Sequence, residues 1–567
     1  MTTTDSRGAS ATPTVADHVV QRLADLGIGH AFGVPGDYAF AFDDAIEANA
    51  DVAWIGCANE LNAAYAADGY ARIRGAAILS TTYAVGELSA LNGVMGSKAE
   101  RVPVFHLVGM PSTKLQRARA ITHHTFGDGT FDRFAHLSSH AVCASTILTP
   151  QNAIAEMERV IAEALTERRP AYVCVPQDLA RLPVIGTPVA GVRVADVAQP
   201  SSDPGQLEAA VAAILERFTA AGSHVVLPAY TVARYGLQGP VVKMLDAIGL
   251  PYATTTMDKA VLSESTPGFL GMNSGTSPSP GVKEAVEGAE FVLDLGGIVL
   301  SDFNTSAWTA GLDPSKVVSV LTDHVRIGDE IYAPVSLADA IARLTVELPP
   351  QVRAVGTPST PPPPTGSDAD RVSSAGLYPR LQQFLRTGDI VVVETGLGVG
   401  GVAGLRFPDG AVCQNQMLWG SIGWATPAAF GACLAAPDRR TILVTGDGSH
   451  QLTANDIGAM GHHGAKPIVL VLNNSMFGVE EVLSPRQGHE YDMLVPWNYH
   501  RLPDAFGCTG WHTARVTTLG ELDAALKTAA AHDDASYIEV VLGRADIPPS
   551  VPAQVIERLY RDAPGGG

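Results

Sequence analysis

Short apolar runs of β-forming residues alternate with longer helical stretches through three regions of this chain. In the first region the runs HAFGVP, AAILSTT, VPVFHLVG and AYVCVP alternate with stretches such as VADHVVQRLADLG. Strands of about four to eight residues that alternate with helices of about ten to fifteen are typical of βαβ units, which build parallel sheets. The pattern therefore predicts an α/β fold with three doubly wound parallel-sheet domains.

Two segments rich in proline divide the chain between these regions. One is PVIGTPVAGVRVADVAQPSSDPG at 183–205, and the other is TPSTPPPPTGSDAD at 357–370, where four consecutive prolines resist both helix and sheet. We predict a disordered tail at 1–13, a first domain at 14–190, a middle domain at 206–350, a proline-rich linker at 351–373 and a third domain at 374–567.

The composition excludes several classes of protein and of partner. Hydrophobic residues make up 46 % of the 567 residues, so every domain can bury a core. The net charge of −20 repels nucleic acid and anionic membranes, and the six cysteines show no CxxC spacing that would indicate a zinc site or a disulfide framework. The N-terminus has no signal-peptide pattern, and no apolar run reaches the roughly 18 residues of a membrane span. We therefore expect a cytoplasmic protein that binds neither nucleic acid nor membrane.

The most informative motif lies at the ends of two strands in the last region. The strand TILVT is followed by Gly446-Asp447-Gly448-Ser449, and the strand PIVLVL ends at Asn473-Asn474. Ligands bind at the carboxyl ends of parallel strands, where glycines let the backbone approach a phosphate and a following helix offers free N–H groups. Asp447 and Asn474 add hard oxygen ligands, which suit an Mg²⁺ ion held jointly by the protein and a phosphorylated ligand.

This motif has the spacing of the thiamine-diphosphate signature, and the chain resembles the pyruvate decarboxylase and indolepyruvate decarboxylase branch of that superfamily. The resemblance runs from about residue 15 to about residue 543 and rests on the motifs FGVPGD, CANELNAAYAADGYAR, TTYAVGELSALNG, THHTFGDG, WGSIGWATPAAFG, GDGS…NN and VEE, in this order. It implies thiamine diphosphate and Mg²⁺ as cofactors, with the first domain binding the pyrimidine and the third binding the diphosphate. It also implies a homodimer as the minimum active unit, with the active site at the subunit interface, and a homotetramer as the usual assembly.

The resemblance also assigns the cofactor contacts. Glu60 matches the glutamate that hydrogen-bonds the pyrimidine and so lets the cofactor form its reactive ylide. The apolar flanks of Glu60 lead us to expect a buried carboxylate with a raised pKa. Ile422 matches the aliphatic wedge that folds the two cofactor rings together, and Gly420 would offer its carbonyl to the pyrimidine. The implied metal ligands are Asp447, Asn474 and the main-chain carbonyl of Met476, and the further cofactor contacts are Thr82, Thr395, Gly448, Ser449, Phe477, Gly478 and Val479.

The implied reaction needs proton donors near pH 7, because the enamine that remains after loss of CO₂ is protonated before the aldehyde departs. The residues that match the family's donors are Asp37, His123, His124 and Glu480. Histidine titrates near neutrality, so two adjacent histidines suit a proton relay. A second pair, His462 and His463, matches no catalytic position and is expected on a helix surface, as is Glu481.

The implied function is non-oxidative decarboxylation of a 2-oxo acid to an aldehyde and CO₂. Pyruvate-specific members carry a bulky aromatic side chain where this chain has Val399 among several glycines. A smaller wall leaves room for a larger substrate, and each CH₂ buried there contributes about 0.8 kcal/mol. We therefore expect aryl or branched substrates such as indolepyruvate, phenylpyruvate and 2-oxoisocaproate, with Phe303, Val479 and Leu483 as further pocket residues.

Three other functions remain open at this stage. A carboligase would use the same residues and would trap the enamine with a second aldehyde to form an acyloin. A relative of acetohydroxyacid synthase would bind FAD, but the His123-His124 pair, Glu480 and the lack of a nucleotide fingerprint in the middle domain argue against it. A catalytically silent scaffold subunit would have no need to retain Glu60 and Asp447.

Overall fold

The computed structural model describes residues 12–188, 193–194, 200–273, 280–299, 304, 312–352, 363–484, 486 and 488–548. The chain forms two compact units, Met1–Ala198 and Gln199–Gly567. The helices are α1 (Val15–Asp25), α2 (Phe40–Ala48), α3 (Glu60–Arg74), α4 (Val85–Ala99), α5 (Thr113–Arg117), α6 (Arg133–Ser139), α7 (Ala153–Glu167), α8 (Gln177–Ala180), α9 (Pro204–Ala220), α10 (Tyr230–Arg234), α11 (Gln238–Ile248), α12 (Pro280–Glu287), α13 (Leu337–Glu347), α14 (Ser374–Phe384), α15 (Leu397–Ala403), α16 (Ala425–Ala435), α17 (Asp447–Thr453), α18 (Asp456–His462), α19 (Gly478–Leu483), α20 (Leu502–Ala505) and α21 (Leu519–Ala531). The strands are β1 (His30–Gly33), β2 (Ala53–Gly56), β3 (Ala77–Thr81), β4 (Val104–Met110), β5 (Ala144–Ile147), β6 (Ala171–Pro176), β7 (His224–Pro228), β8 (Tyr252–Thr254), β9 (Phe269–Met272), β10 (Phe291–Leu295), β11 (Val317–Val320), β12 (Val325–Ile327), β13 (Glu330–Tyr332), β14 (Ile390–Val393), β15 (Val412–Gln414), β16 (Thr441–Gly446), β17 (Ile468–Asn473), β18 (His512–Val516) and β19 (Ser536–Val541).

The first unit contains a six-stranded parallel sheet in the order β2-β1-β3-β4-β6-β5. Every residue of β3, β4 and β6 is buried, as expected when helices cover both faces of a parallel sheet. The strand order reverses between β1 and β3, and the loops that leave these two strands carry Asp37 and Thr82. Such a reversal point is where ligands bind in open α/β sheets.

Helix α3 begins at Glu60 because the preceding residue caps it. The side chain of Asn59 accepts a hydrogen bond from the backbone N–H of Asn62 at 2.9 Å, which satisfies one of the free donors of the first turn. The helix ends at Gly75, whose φ of +91° is a left-handed conformation that glycine adopts without strain. The cap fixes Glu60 in the first turn, at the edge of the sheet where β2 ends.

The second sheet follows the prediction in its centre and departs from it at one edge. Its order is β13-β12-β11-β10-β7-β8-β9, and the strands from β11 to β9 pair in parallel. Strands β11, β12 and β13 form an antiparallel meander, because the connections between them are too short for a helical crossover. Its core is built from aliphatic side chains that include Ile214, Val226, Leu245, Leu293 and Ile341.

The third sheet is parallel and has the order β15-β14-β16-β17-β19-β18. This is the same order as in the first sheet when the strands are numbered from the start of each. The reversal lies between β14 and β16, so the loops after these strands, with the neighbouring loop after β17, form the expected ligand-binding edge. The predicted fold class is confirmed, with the antiparallel edge of the second sheet as its one departure.

The second and third sheets are joined by a buried polar contact within the second unit. The Nζ atom of Lys259 lies 2.6 Å from Oε1 of Glu264, and both side chains are at most 3 % exposed. Lys259 also donates to the carbonyl of Leu405, and Oε2 of Glu264 accepts the N–H of Phe407 at 2.8 Å. Nearby, Nδ2 of Asn415 donates to the carbonyl of Met257 at 3.4 Å. These bonds fix the segment that precedes the Gly420–Ile422 loop.

Most of the predicted disordered tail lies outside the described residues, which begin at 12, and the predicted proline-rich linker lies outside them at 353–362. The described end of the linker is tied to the third domain, because Arg380 donates to the carbonyl of Thr365 at 3.0 Å. Within the described part of the chain, no helix combines the length and the apolar character that a bilayer crossing requires.

Candidate functional site

The loops after β14, β16 and β17 line an open pocket in the third domain, with a cavity volume of about 90 Å³. Of the residues predicted from the sequence, those that line it are Thr395, Ile422, Asp447, Gly448, Ser449, Asn474, Met476, Phe477, Gly478, Val479 and Glu480. The structure therefore brings together side chains that are far apart in the chain, at the strand reversal where a ligand is expected.

Asp447 is a buried carboxylate that lacks a basic partner. Its side chain is 2 % exposed, and its two oxygens accept the N–H of Gly448 at 3.0 Å and that of Ser475 at 2.7 Å. Among the ion pairs of the described residues, none involves Asp447. Burial raises the pKa of Asp447 to about 7, although backbone N–H groups oppose this shift. A cation placed beside this carboxylate would restore its charged form.

Close packing explains the glycines on either side of Asn474. A Cβ atom on Gly478 would lie 2.7 Å from Nδ2 of Asn474, and one on Gly448 would lie 2.6 Å from the ring of Phe477. The side-chain oxygen of Asn474 accepts the N–H of Met476 at 3.3 Å, which bends the chain at this strand end. Gly478 therefore lets the main chain at the start of α19 approach the side chain of Asn474 in the pocket wall.

Glu394 is a pocket residue that the sequence did not indicate. It follows β14, and Oε2 accepts the N–H groups of Gly423 and Ala425, each at 3.1 Å. Its other oxygen accepts the N–H of Thr395 at 3.0 Å. The side chain is 2 % exposed, and burial raises its pKa to about 7. One carboxylate thus connects the turn after β14 with the loop that carries Ile422.

His450 supports the helix that follows Asp447. Its Nδ1 lies 2.8 Å from Oγ1 of Thr426, and its Nε2 lies 2.7 Å from the hydroxyl of Tyr537. Burial lowers the pKa of His450 to about 3, so the ring is neutral at physiological pH. His450, which directly follows the Gly446–Ser449 motif, thus has a structural role. The sequence alone does not reveal this role.

In the first unit, Asp37 and His123 form a close pair. Nε2 of His123 lies 2.7 Å from Oδ2 of Asp37, and both side chains are about half exposed. The His123 ring is stacked on Tyr38 with 4.8 Å between centroids and 10° between planes. The Tyr38 hydroxyl lies 3.0 Å from Oγ1 of Thr122, and that oxygen lies 3.4 Å from Nδ1 of His123. Tyr38 and Thr122 therefore orient the ring so that Nε2 faces the carboxylate.

His124 completes this group. Its ring centroid lies 4.7 Å from that of His123, and one ligand atom from each of Asp37, His123 and His124 lies within 4.8 Å of the others. Its φ of +58° is unusual for a residue with a side chain, and its Nδ1 is buried with no hydrogen-bond partner among the described residues. An unpartnered ring nitrogen beside a histidine and a carboxylate can hold or pass on a proton.

Glu60 and Thr82 meet at the same strand reversal. A Cβ atom added at Gly86 would lie 3.1 Å from Cγ2 of Thr82 and 3.3 Å from Oε1 of Glu60, so both side chains contact this turn of α4. Thr82 is 6 % exposed, and its hydroxyl has no hydrogen-bond partner among the described residues. Glu60 is only partly buried in the first unit. The raised pKa expected for Glu60 stays a prediction.

Two carboxylates that the sequence did not single out, the partly buried Asp43 and the buried Glu87, hold these loops. Asp43 accepts the hydroxyl of Ser80 at 2.8 Å, and burial raises its pKa to about 6. Glu87 accepts the N–H of Ala84 at 2.9 Å and the hydroxyl of Tyr172 at 3.0 Å. Ala84 has a φ of +55°, so Glu87 fixes a strained turn immediately after Thr82 and Tyr83. A short-range sequence pattern does not reveal such long-range partners.

Of the predicted substrate-pocket residues, Val479 lines the pocket, but Val399 and Leu483 do not. Val399 is 5 % exposed and packs in the core of the third domain, whereas Leu397 and Gly398 line the pocket. A Cβ atom on Gly401 would overlap the ring of Tyr378, so this aromatic side chain fills the space that the glycines were expected to leave open. Leu483 and Gly420 are not among the residues that line the pocket, and Phe303 lies outside the described residues.

The two glutamates of the VEE motif also differ from each other. Glu480 is exposed and lines the pocket, while Glu481 accepts the N–H of Gly488 at 2.8 Å and so caps the following loop. The structure thus gives Glu481 a local role that the surface-charge prediction did not include. In the second histidine pair, His462 is the last residue of α18 and is exposed, and His463 is partly buried beside Phe430.

Three family models match this chain in order. They are described as the thiamine pyrophosphate enzyme N-terminal TPP binding domain over residues 13–135, its central domain over 211–348, and its C-terminal TPP binding domain over 399–540. The chain belongs to the thiamine pyrophosphate enzyme family. The assignment agrees with the three sheets, and it places the pocket after β14, β16 and β17 in the C-terminal TPP binding domain of this enzyme.

Relatives of this thiamine pyrophosphate enzyme include proteins named alpha-keto-acid decarboxylase. One from Mycolicibacterium paratuberculosis is 38 % identical over 544 residues, which is 94 % of this chain and 95 % of the relative. One from Mycobacterium tuberculosis is 37 % identical over 542 residues, with the same shares of both chains. An X-ray structure of a candidate thiamin diphosphate-dependent enzyme from Mycobacterium smegmatis aligns with a TM-score of 0.74 at 21 % identity, over 94 % of this chain and 100 % of that one. This last likeness concerns the fold.

The pocket fits the cofactor that gives the family its name. A buried carboxylate without a basic partner, Asp447, lies beside the amide of Asn474, and this donor set suits a hard divalent cation. The side chains of Leu397, Ile422 and Val479 give the rest of the wall an apolar character. A pocket with a polar end and an apolar wall suits a phosphorylated heterocycle.

Proposed function

We propose that this protein catalyses the non-oxidative decarboxylation of a 2-oxo acid to an aldehyde and CO₂, with thiamine diphosphate and Mg²⁺ as cofactors. The observation that carries the proposal is the group of Asp37, His123 and His124, whose donor atoms lie within 4.8 Å of one another. Such a group suits the proton delivery that aldehyde release requires. The names of the relatives, which match nearly the whole chain, support the same reaction class.

Asp447, Asn474 and the main-chain carbonyl of Met476 would hold the Mg²⁺ ion, and Gly448 and Ser449 would contact the diphosphate. All five line one pocket, and Asp447 there lacks a charge partner. Once bound, thiamine diphosphate supplies a nucleophilic carbon and an electron sink for the bond to the carboxylate. The protein supplies the site that orients it and the groups that move protons.

Ile422 would pack against the cofactor rings, and the carbonyl of Gly420 would accept a hydrogen bond from the pyrimidine. The φ of +68° at Gly420 turns the chain sharply before Ile422, which leaves this side chain in the pocket wall. Glu60 would also hydrogen-bond the pyrimidine. The unpartnered hydroxyl of Thr82, which contacts the same turn as Glu60, is available to the same ligand.

Asp37, His123, His124 and Glu480 would hold and deliver the proton that the departing aldehyde needs. The bond between Asp37 and His123 fixes one ring, and the unpartnered Nδ1 of His124 lies beside it. Glu480, on the pocket wall of the third domain, would complete the set.

We propose that the active assembly is a homodimer or a homotetramer, in which Glu60 of one subunit acts on cofactor held by the partner subunit's Asp447. Large apolar side chains near the candidate residues of the first unit are exposed, including Phe40 at 50 %, Ile121 at 82 % and Phe126 at 67 %. Large apolar side chains that are exposed in a single chain are expected where another subunit binds. We also propose that the enzyme acts in the cytoplasm.

We propose aryl or branched 2-oxo acids as the preferred substrates. Apolar side chains that line the pocket, Leu397, Val479 and Leu542, support this proposal, and Val399 does not, since it lies in the core. Each additional CH₂ that an apolar wall buries contributes about 0.8 kcal/mol. A higher kcat/KM for pyruvate than for phenylpyruvate would contradict the preference and leave the reaction class intact.

The test is a screen of CO₂ release over about ten 2-oxo acids, with and without added thiamine diphosphate and Mg²⁺, and with Glu60→Gln as the blank. We expect cofactor-dependent release of CO₂ and aldehyde. No release from any acid by cofactor-loaded protein would contradict the proposal. Product analysis with added aldehyde separates a carboligase, which would form an acyloin, and a yellow purified protein would indicate the FAD-containing alternative.

A further inference from the structure

Glu394 occupies an unusual position in the pocket wall. It is the first residue after β14, its side chain is 2 % exposed, and it lines the pocket beside Thr395 and Ile422. None of the ion pairs of the described residues includes it. A buried carboxylate without a cationic partner destabilises a fold unless its oxygens are well hydrogen-bonded. The partners of its two oxygens therefore explain why a carboxylate is tolerated at this place.

Both carboxylate oxygens of Glu394 bind backbone N–H groups, and these belong to two different loops. Oε1 accepts the N–H of Thr395 in the turn after β14 at 3.0 Å. Oε2 accepts the N–H groups of Gly423 and Ala425, each at 3.1 Å, in the loop that contains Ile422. The carboxylate is thus a bridge between two segments that enter the pocket from different crossovers of the sheet.

The loop that contains Ile422 depends on hydrogen bonds to other segments, because its glycines can adopt many backbone conformations. Gly420 and Gly423 flank Ile422 with φ values of +68° and +90°, and glycine loses more conformational entropy on ordering than any other residue. A second bridge runs through Gln416, whose carbonyl accepts the hydroxyl of Thr395 at 3.1 Å and whose side-chain oxygen accepts the N–H of Ser421 at 3.2 Å. Glu394 binds the backbone that follows Ile422, and Gln416 binds the backbone that precedes it.

We propose that Glu394 is a positioning residue for the cofactor, which holds the Ile422 loop at a fixed distance from the Thr395 turn. The inference rests on the proposed cofactor site. It adds a residue that is not among the proposed ligands of the metal or of the diphosphate. A preformed wall lets the ligand bind without ordering the loop itself, and this saving appears as affinity. Burial also raises the pKa of Glu394 to about 7, which agrees with a side chain that is shielded from solvent.

The side-chain chemistry makes the role testable with a nearly isosteric change. A glutamine has one acceptor oxygen and an NH₂ group that only donates. Glu394→Gln can therefore accept N–H groups from one of the two loops, while its NH₂ group faces the N–H groups of the other loop without forming a hydrogen bond. Asp389 provides a matched control, because it is also 2 % exposed and lies directly before β14, at the opposite end of the strand. It pairs with Arg440 at 2.6 Å and does not line the pocket.

The experiment measures thiamine diphosphate affinity by titration calorimetry at saturating Mg²⁺, together with the thermal unfolding midpoint of each cofactor-free protein. We expect Glu394→Gln to weaken cofactor binding by roughly tenfold or more. Asp389→Asn is expected to lower the unfolding midpoint and to keep cofactor affinity within about twofold of the wild type. Glu394→Asp retains two acceptor oxygens but is one methylene shorter, so an intermediate loss is expected.

Wild-type affinity in a folded Glu394→Gln protein would overturn the proposal, and so would an equal loss of affinity in Asp389→Asn, since that would make the effect one of general stability. If Glu394→Gln does not fold, Glu394→Asp decides, and unchanged affinity in that variant would overturn the proposal. A wild-type protein that binds no thiamine diphosphate would contradict the proposed function instead, so the two failures are distinguishable.

Discussion

The Nε2 atom of His123 lies 2.7 Å from Oδ2 of Asp37, with the ring of His123 stacked in parallel on Tyr38. The carboxylate can accept a hydrogen bond from an N–H at this nitrogen, and stacking on the tyrosine restrains the ring. The orientation of the ring is therefore set by residues of the first unit before any substrate binds.

Replacement of His123 by glutamine should remove the titratable ring while it preserves most of the side-chain volume. We expect kcat for 2-oxo acid decarboxylation to fall by about 10²- to 10⁴-fold, with thiamine diphosphate affinity nearly unchanged, because general acid catalysis contributes this much. Steady-state kinetics and cofactor titration measure the two quantities separately. His462→Gln is the control, since His462 is exposed at the end of α18. Equal losses in both variants would contradict the assignment.

The contact of Glu60 with the Gly86 turn leads to a prediction about the cofactor. Glu60→Gln keeps the shape of the side chain and removes its charge, so decarboxylation should fall by at least about 100-fold while the free energy of unfolding changes little. The control is Glu47→Gln, which changes an exposed glutamate on α2 and should be silent. Proton exchange at C2 of bound thiamine diphosphate, followed by NMR, provides a direct measurement, and unaltered exchange in Glu60→Gln would reject the role.

The raised pKa of Asp447 predicts how the stability of the cofactor-free protein depends on pH. In the folded state this group keeps its proton to about pH 7, whereas an unfolded aspartate ionises near 4. Between these values the unfolded state binds fewer protons, so this residue lowers the free energy of unfolding as pH rises, by at most about 1.4 kcal/mol per pH unit. Chemical denaturation at pH 5, 6 and 7 should show a steeper decline for the wild type than for Asp447→Asn. Parallel curves would contradict the shift.

The same carboxylate predicts the pH dependence of metal binding. Mg²⁺ binds the ionised form, so its apparent affinity should fall by up to about tenfold per pH unit as pH decreases below 7. Glu394 titrates in the same pocket, and Glu394→Gln therefore serves as the comparison that isolates the part due to Asp447. Calorimetry in buffers of different ionisation enthalpy should detect proton release on Mg²⁺ binding at pH 7. Asp447→Asn should bind Mg²⁺ and cofactor far more weakly.

Two glycines of α15 should respond oppositely to alanine. A Cβ on Gly401 would overlap the ring of Tyr378, whereas one on Gly398 would lie 3.6 Å from Leu472 in ordinary contact. Gly401→Ala should destabilise the protein by about 1–3 kcal/mol through overpacking. Gly398→Ala should be neutral or stabilising by up to about 1 kcal/mol, because alanine favours the helix. Thermal unfolding measures both, and equal midpoints would show that Tyr378 moves aside without penalty.

The sequence was sufficient where function depends on residues close to one another along the chain. Strand periodicity predicted three α/β domains, and the motif around Asp447 was placed at a strand end because glycines and hard ligands follow a buried apolar run. The glycines there proved to be required by contacts with Phe477 and Asn474. The antiparallel edge β11-β12-β13 was missed because its strands are only three or four residues long.

Sequence reasoning was insufficient where a side chain acts through partners distant in the chain. The sequence did not indicate Glu394, because its acceptor role depends on N–H groups about thirty residues away. Val399 was predicted in the substrate pocket, but the register of α15 directs it into the core and leaves Leu397 at the pocket. The ring of Tyr378, from α14, occupies the volume beside Gly401, and no local pattern indicates this packing.

The first and third sheets share one strand order, so each offers a reversal point at the same topological place. The loops after β1 and β3 are the topological counterparts of those after β14 and β16. One sheet carries Asp37 and Thr82 at this place, and the other carries Glu394 and Asp447. A single topology thus presents two different sets of side chains at equivalent positions.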